Sequence, residues 1–155
     1  MDRKYYFAYG SNMSLDQMKK RCPDSEFVTI GYIEGYRFVY DGFSRTRNGP
    51  VANIITSEKE EKVWGAIFKI SEEDERRLDK CEGYPSAYSK TYLTVCDREG
   101  NSYNALVYLR EPRERGFPSR EYEKIVVESA IRLGLPLDYI NKYLKVKREW
   151  SLKNI

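Results

Sequence analysis

The chain has 155 residues, carries 27 Lys and Arg against 24 Asp and Glu for a formal net charge of +3, and contains 14 Tyr but no His. Without an imidazole, a Ser-His-Asp or Cys-His nucleophile, a His-ligated metal and a His proton shuttle are excluded. The length favours one domain, and no apolar run approaches the ~20 residues that cross a bilayer. Because the amino terminus also lacks a signal-peptide pattern, we expect a cytoplasmic protein.

The cysteines and the small excess of positive charge indicate no special partner. The three cysteines are widely spaced, which favours free thiols over disulfides or a zinc site. A net charge of +3 is too small to indicate nucleic-acid binding. We therefore expect a single domain over residues 1–145 and a charged, solvated tail over 146–155, although the basic cluster near the end could also form a local binding patch. The cysteines and that cluster are Cys22, Cys81, Cys96, Lys142, Lys145, Lys147 and Arg148.

The first half of the chain is mostly β-prone. An aromatic strand, Lys4–Tyr9, meets a Gly-Ser-Asn break, and Ser14 with Gln17 predicts a capping box that opens a short helix toward Arg21. The residues from Asp41 to Pro50 are predicted to form a polar loop between strands. Four further predicted strands are Phe27–Tyr32, Tyr36–Tyr40, Ala52–Thr56 and Val63–Ile70.

The second half adds two main helices and a hairpin. Ser71 is the predicted N-cap of a helix over Glu72–Cys81, and Ser119 is the predicted N-cap of a helix that continues to about Leu133. Pro136 could start a last helix over Leu137–Leu144. Strands with helices inserted and appended indicate an α+β fold with a mixed or antiparallel sheet, for which barrel closure is plausible. The two remaining strands are Tyr88–Cys96 and Tyr103–Leu109, and the Pro-bounded loop is Glu111–Pro118.

The turn Tyr9-Gly10-Ser11-Asn12 is the first candidate for chemistry. Successive backbone amides between a strand and a helix can hold a carboxylate or phosphate, and glycine lets the ligand approach closely. By its spacing alone, a plain structural turn is the more common interpretation of this segment.

Glu82 is the second candidate, because it lies at a predicted helix end, where the helix dipole disfavours negative charge. Burial beside Tyr84 and Tyr88 would raise its pKa further, toward the range in which a carboxyl group both accepts and donates protons. A solvated surface glutamate is the alternative. A third candidate is a set of tyrosines that could wall a pocket, or simply pack in the core: Tyr6, Tyr9, Tyr84, Tyr88, Tyr108 and Tyr122.

Four ordered motifs spread over nearly the whole chain resemble the γ-glutamylcyclotransferase-like family. FAYGSNM at Phe7–Met13 is similar to its YGSN loop, and VWGAIFKI at Val63–Ile70 to a strand with the V-W/Y-G pattern. LDKCEGYPSAY at Leu78–Tyr88 resembles its L-D-x-x-E-G segment. The stretch Pro118–Ile140 resembles its P-S-x-x-Y helix followed by G-L-P.

The resemblance implies a small, barrel-like mixed sheet with flanking helices and a cyclotransferase reaction. In that reaction the α-amine of a γ-glutamyl amide attacks its own γ-carbonyl, which releases 5-oxoproline and a free amine or amino acid without metal or cofactor. Glu82 matches the catalytic glutamate. The expected substrate-binding residues are Tyr6, Tyr9, Gly10, Ser11, Asn12 and Tyr122.

The sequence leaves the particular γ-glutamyl substrate and the oligomeric state open. Arg45 and Arg47, in the loop Asp41–Gly49, suggest an anionic leaving portion, but ordinary surface arginines are the more common interpretation. We expect a small γ-glutamyl substrate and neither a nucleic-acid nor a membrane partner. The alternatives are a non-catalytic module that binds or senses a small acid on the same fold, and an interaction protein that uses the basic tail.

Overall fold

Seven β-strands form a closed barrel and a separate hairpin. The computed structural model describes residues 3–146. The strands are β1 (Lys4–Ala8), β2 (Glu26–Glu34), β3 (Tyr36–Ser44), β4 (Gly49–Thr56), β5 (Lys62–Ile70), β6 (Ser89–Asp97) and β7 (Ser102–Leu109). Five of them close the barrel in the order β1-β5-β2-β6-β7, and β3 and β4 form the hairpin. Only the β1–β7 pairing is parallel among these described strands, so the predicted α+β fold with a mixed, barrel-like sheet is confirmed.

Two facing glycines allow the barrel strands to approach one another. Gly31 of β2 and Gly65 of β5 are register partners. A Cβ on Gly65 would lie 2.2 Å from the carbonyl oxygen of Ala8 in β1, and one on Gly31 would lie 2.7 Å from that of Cys96 in β6. Both distances are far below a van der Waals contact, so only glycine fits where these strands pack side by side.

The helices begin and end at the residues that carry local capping signals. They are α1 (Leu15–Arg21), α2 (Glu72–Glu82), α3 (Arg120–Leu133) and α4 (Leu137–Tyr139), and a π-helical turn continues α4 over Ile140–Leu144. The Ser71 side chain and Asp74 form a complete capping box at the start of α2, and Ser119 caps α3. Gly83 (φ 64°) and Gly134 (φ 83°) end the two helices in the left-handed conformation that glycine adopts readily.

The predicted polar loop from Asp41 to Pro50 is wrong. The strand β3 continues to Ser44 and β4 starts at Gly49, so only residues 45–48 form the turn. The reason is that Asp41 finds charged and polar partners inside the fold. Its carboxylate is fully buried and paired with Arg110, which offsets the cost of placing a charge in a strand.

The carboxyl-terminal helices pack on the barrel core, and the tail lies outside the described residues. Ile140 and Leu144 are fully buried, and the amide of Val146 donates to Glu123 Oε2 at 2.9 Å. Of the predicted tail over 146–155, only Val146 is described, so the basic patch at Lys147 and Arg148 stays a prediction. Within residues 3–146, no helix has the length and apolar character that a bilayer crossing requires. The three cysteines are free thiols, as predicted.

Candidate active site

A cavity of about 420 Å³ lies where the barrel, the hairpin and the helices meet. Several parts of the chain surround it: the end of β1 with the following turn, the end of α1, the β3–β4 hairpin, the end of α2, the segment before β6, the end of β7 with the residues after it, and α3. All seven predicted site residues line this cavity, although they come from positions as far apart as Tyr6 and Tyr122. The seven are Tyr6, Tyr9, Gly10, Ser11, Asn12, Glu82 and Tyr122.

Glu82 is the carboxylate of the cavity. It is the last residue of α2, and the left-handed turn at Gly83 ends the helix directly after it. Among the described residues its carboxylate has no hydrogen-bond or ion-pair partner, so it is available to a ligand. Burial raises the pKa of Glu82 to about 6, although the positive charges of Arg21, Arg110 and Arg47 oppose that shift. Such a group accepts and donates protons near neutral pH.

Cationic side chains greatly outnumber carboxylates around Glu82. Five cationic residues line the cavity, and Glu82 is the only acidic residue among its described lining. The five are Arg21, Arg47, Lys80, Arg110 and Arg113. This lining suits an anionic ligand. Across residues 3–146, no three His, Cys, Asp or Glu side chains are grouped so that they could hold a metal ion.

The turn after β1 is held by its own side chains. Asn12 is buried, donates to the Tyr6 hydroxyl at 3.0 Å, and accepts from Gln17 and from Arg21 at 2.8 and 3.1 Å. Gln17 also donates to Ser11 Oγ. The predicted capping box is therefore only half formed. The Ser14 side chain accepts from the backbone amide of Gln17, but the Gln17 side chain bonds to Ser11 and Asn12 and not to the Ser14 backbone.

The backbone amides of this turn remain for a ligand. The first hydrogen bond of the 3₁₀ turn over Ser11–Met13 runs from the Met13 amide to the Gly10 carbonyl, at 3.0 Å. The amides of Ser11 and Asn12 precede it and so have no acceptor within the turn. Gly10 packs tightly against β4, since an added Cβ would lie 2.9 Å from Ala52 Cβ. The side chains of the turn thus fix its position, while the amides of Ser11 and Asn12 have no acceptor within it.

Five of the six predicted tyrosines line the cavity, but most of their hydroxyl groups already donate hydrogen bonds to other protein groups. Three of them donate to the protein: Tyr9 to the Tyr108 carbonyl, Tyr88 to the Ala52 carbonyl, and Tyr108 to Asp79, at 2.6, 2.7 and 2.6 Å. Tyr122 differs, because its hydroxyl accepts from the Ala52 amide at 3.1 Å. Burial raises the pKa of Tyr122 to about 12, so its proton stays on the oxygen. That proton can be donated to a ligand.

The prediction that Tyr84 helps to bury Glu82 is wrong. Tyr84 is 40% exposed and does not line the cavity; its ring lies 4.3 Å from the Lys90 ammonium instead. The left-handed residue Gly83 still lines the cavity and ends the helix there, and the side chain of Tyr84 lies outside the cavity. Tyr88, the other aromatic residue predicted beside Glu82, does line the cavity.

A buried network at the hairpin is the feature that the sequence did not indicate. Asp41, Asn53 and Arg110 are all buried and come from β3, β4 and the residue after β7. The guanidinium of Arg110 donates to Asp41 Oδ1 at 2.7 Å, and Asn53 Nδ2 donates to Asp41 Oδ2 at 3.1 Å. Charged residues separated by 69 positions give no local signal of such a pair. The pair is visible only in the folded structure, where the side chains of Asp41 and Arg110 lie next to each other.

Comparisons with known proteins agree with this fold. Residues 62–143 match the AIG2-like family. The γ-glutamylcyclotransferases of Homo sapiens and Bos taurus are each 32% identical over 142 residues, which cover 88% of this chain and 75% of the relative. A solved structure of a γ-glutamyl cyclotransferase superposes with a TM-score of 0.86 at 28% identity and covers 98% of both chains. The chain therefore belongs to the AIG2-like family and is an enzyme of the γ-glutamylcyclotransferase type.

Proposed function

We propose that the enzyme cleaves a γ-glutamyl amide by attack of the substrate's own α-amine on its γ-carbonyl, with Glu82 as general base and acid. The products are 5-oxoproline and a free amine or amino acid. The observation that carries this proposal is the carboxylate of Glu82, which is half-buried, lines the cationic cavity, has no partner among the described residues and has a pKa of about 6.

The reaction needs positioning and proton movement more than an enzyme nucleophile. The substrate holds its amine and carbonyl on one short carbon chain, so closure gives an unstrained five-membered lactam. The α-amine is an ammonium ion near neutral pH and attacks only after it loses a proton, which Glu82 accepts. Glu82 then delivers a proton to the leaving nitrogen as the amide bond breaks. A carboxyl group titrating near pH 6 suits both steps.

Two other groups suit the charges of such a substrate. The amides of the turn over Ser11–Met13 suit the α-carboxylate or the oxyanion that develops on the γ-carbonyl. The Tyr122 hydroxyl, which accepts from the protein and keeps its own proton, suits an oxygen of the same γ-glutamyl group. Tyr6 and Tyr9 form the wall beside the turn and restrict the space around that group.

A panel assay tests the proposed function. We expect the purified protein to release 5-oxoproline from at least one member of a panel of γ-glutamyl amino acids and γ-glutamyl amines, measured by mass spectrometry. α-Glutamyl peptides, in which the amide bond is made by the α-carboxyl group and the γ-carboxylate is free, serve as the negative control. Release from no γ-glutamyl compound, with tight binding of one of them, would favour the small-acid binding module instead.

The pH dependence of the reaction should follow Glu82. Because the base must be ionised in the free enzyme, kcat/KM should fall by about tenfold for each pH unit below about 6. Rates of 5-oxoproline release across mildly acidic and neutral buffers measure this limb. The substrate carboxylates titrate near ~3.5, well below it. A limb centred at the pKa of an ordinary exposed glutamate would contradict the assignment of Glu82 as the base.

A further inference from the structure

The geometry points to Arg110 as a specificity-determining residue, which binds a carboxylate on the leaving portion of the substrate. This inference rests on the proposed function and deepens it, since it names the chemistry of the departing amine. Arg110 would then favour γ-glutamyl amino acids whose α-carboxylate lies next to the scissile nitrogen over γ-glutamyl amines that lack one.

Arg110 is held in one orientation by groups that have no contact with solvent. Its Nη2 donates to both the carbonyl and the carboxylate of Asp41, at 2.9 and 2.7 Å. Asn53 fixes both ends of the arrangement, because its side chain bonds to the backbone amide and carbonyl of Arg110 and to Asp41. The guanidinium also lies 4.3 Å from the centre of the Tyr88 ring. A cation fixed in this way is already positioned for an anion before the substrate arrives.

One donor of this arginine is still unused. The Arg110 side chain is 6% exposed, and its buried Nε has no hydrogen-bond partner among residues 3–146. Buried donors of native proteins are nearly always paired, so an unpaired guanidinium nitrogen beside a cavity indicates a missing partner. A carboxylate is the natural partner, because Nη2 already donates to Asp41 and a carboxylate oxygen can accept a charge-assisted hydrogen bond from Nε.

The charge of the cavity supports a second anion on the substrate. A γ-glutamyl group is a zwitterion, with one α-carboxylate and one α-ammonium, and so carries no net charge of its own. The described lining holds five cationic side chains against Glu82. Even with Asp41 counted as the partner of Arg110, positive charge exceeds negative charge around the ligand. An additional carboxylate on the leaving portion balances part of this excess.

The position of Arg110 separates it from the group expected to hold the α-carboxylate. Arg21 bonds to Asn12 and so belongs to the turn after β1. Arg110 instead follows β7 and bonds to β3 and β4 of the hairpin. Glu82 lines the same cavity and interacts electrostatically with Arg21 and Arg110, and also with Arg47. The two ends of a γ-glutamyl amino acid can thus contact different arginines, with the scissile amide near Glu82.

A matched pair of substrates tests this inference. γ-Glutamylalanine and γ-glutamylethylamine differ only by the carboxylate on the leaving portion. We compare the wild type with the double variant Asp41→Asn/Arg110→Met. This variant removes both charges of the buried ion pair, so no unpaired charge is left inside the protein. The expected result is a loss of about 10- to 100-fold in kcat/KM for γ-glutamylalanine, mostly through KM, because a charge-assisted contact is removed. The loss for γ-glutamylethylamine should be at least about tenfold smaller, so the ratio of kcat/KM for the two substrates falls. A change in the pKa of Glu82 or in the position of the hairpin would affect both substrates and leave this ratio unchanged.

Thermal melting checks the fold of each variant, and Arg132→Met, an exposed arginine of α3, is the control for loss of a positive charge. If the double variant fails to fold, Arg110→Lys gives the same comparison, since an ammonium keeps the charge but loses the planar pair of donors. Its loss should again be larger for γ-glutamylalanine.

Three outcomes would overturn the inference. Equal losses for both substrates would assign the effect of Arg110 to the γ-glutamyl group, Glu82 or the hairpin, which both reactions share, and unchanged kcat/KM for both substrates in a folded variant would leave Arg110 without a role in recognition. These two outcomes leave the proposed function intact, because the wild type still releases 5-oxoproline. A wild type that releases none from either compound would overturn the inference and the proposed function together.

Discussion

Replacing Glu82 by glutamine should lower kcat by at least about 100-fold, and by as much as ~10⁴-fold, without unfolding the protein. Glutamine has nearly the same shape but can neither accept the ammonium proton nor deliver one to the leaving nitrogen. Since the Glu82 carboxylate makes no hydrogen bond or ion pair within the described residues, its loss removes no contact of the fold. Release of 5-oxoproline under substrate saturation measures the effect, and the melting temperature should be unchanged or higher.

A glutamate in the first turn of the same helix is the matched control. Glu72 is exposed and does not line the cavity, so Glu72→Gln should change kcat by less than about twofold. If a folded Glu82→Gln protein turned over substrate at a rate close to the wild type, another group would have to move the proton, and the proposed mechanism would be wrong.

Replacing Gly65 by alanine should destabilise the protein by at least about 3 kcal/mol, as expected for severe overpacking. The new methyl group would lie 2.2 Å from the Ala8 carbonyl oxygen, which is backbone of the paired strand β1 and has no rotamer that relieves the contact. The strands must therefore separate and lose pairing next to the turn that carries Gly10. For a chain of this size the melting temperature should fall by roughly 10 °C.

Gly116→Ala provides the comparison in a loop. Its added methyl group would meet only Pro50 Cγ at 3.0 Å, an atom of a side chain on the surface hairpin that can move. We expect less than about 1 kcal/mol from this change. Equal melting temperatures for the two alanine variants would show that the close approach of β1 and β5 is relaxed easily, against the packing described above.

The helices could be predicted because their signals are local. Ser71, Ser119, Gly83 and Gly134 each act on backbone groups within a few residues, so their sequence positions fix the helix ends. The extension of β3 through Asp41 could not be predicted in this way. A charged residue in a strand is favourable here only because Arg110, 69 positions later, reaches it in the folded chain.

The candidate site shows the same contrast between local and distant determinants. The end of a helix at Glu82 and the glycine turn after β1 are visible in the sequence, and the family resemblance connects them. Which atoms a side chain uses is decided by its neighbours in space. The side-chain amide of Asn12 hydrogen-bonds to Tyr6, Gln17 and Arg21. The ring of Tyr84 contacts Lys90 outside the cavity. Neither contact follows from the residue type.

The way in which the β3–β4 hairpin is attached has a consequence for changing the enzyme. The hairpin is a sheet of its own, joined to the barrel end by the buried side chains of Asp41, Asn53 and Arg110. The turn over residues 45–48 contributes Thr46 and Arg47 to the cavity, yet it lies beyond that attachment. Libraries that vary this turn but keep Arg47, whose charge lowers the pKa of Glu82 and whose guanidinium donates to Gln17, can therefore alter substrate preference while the barrel stays as it is.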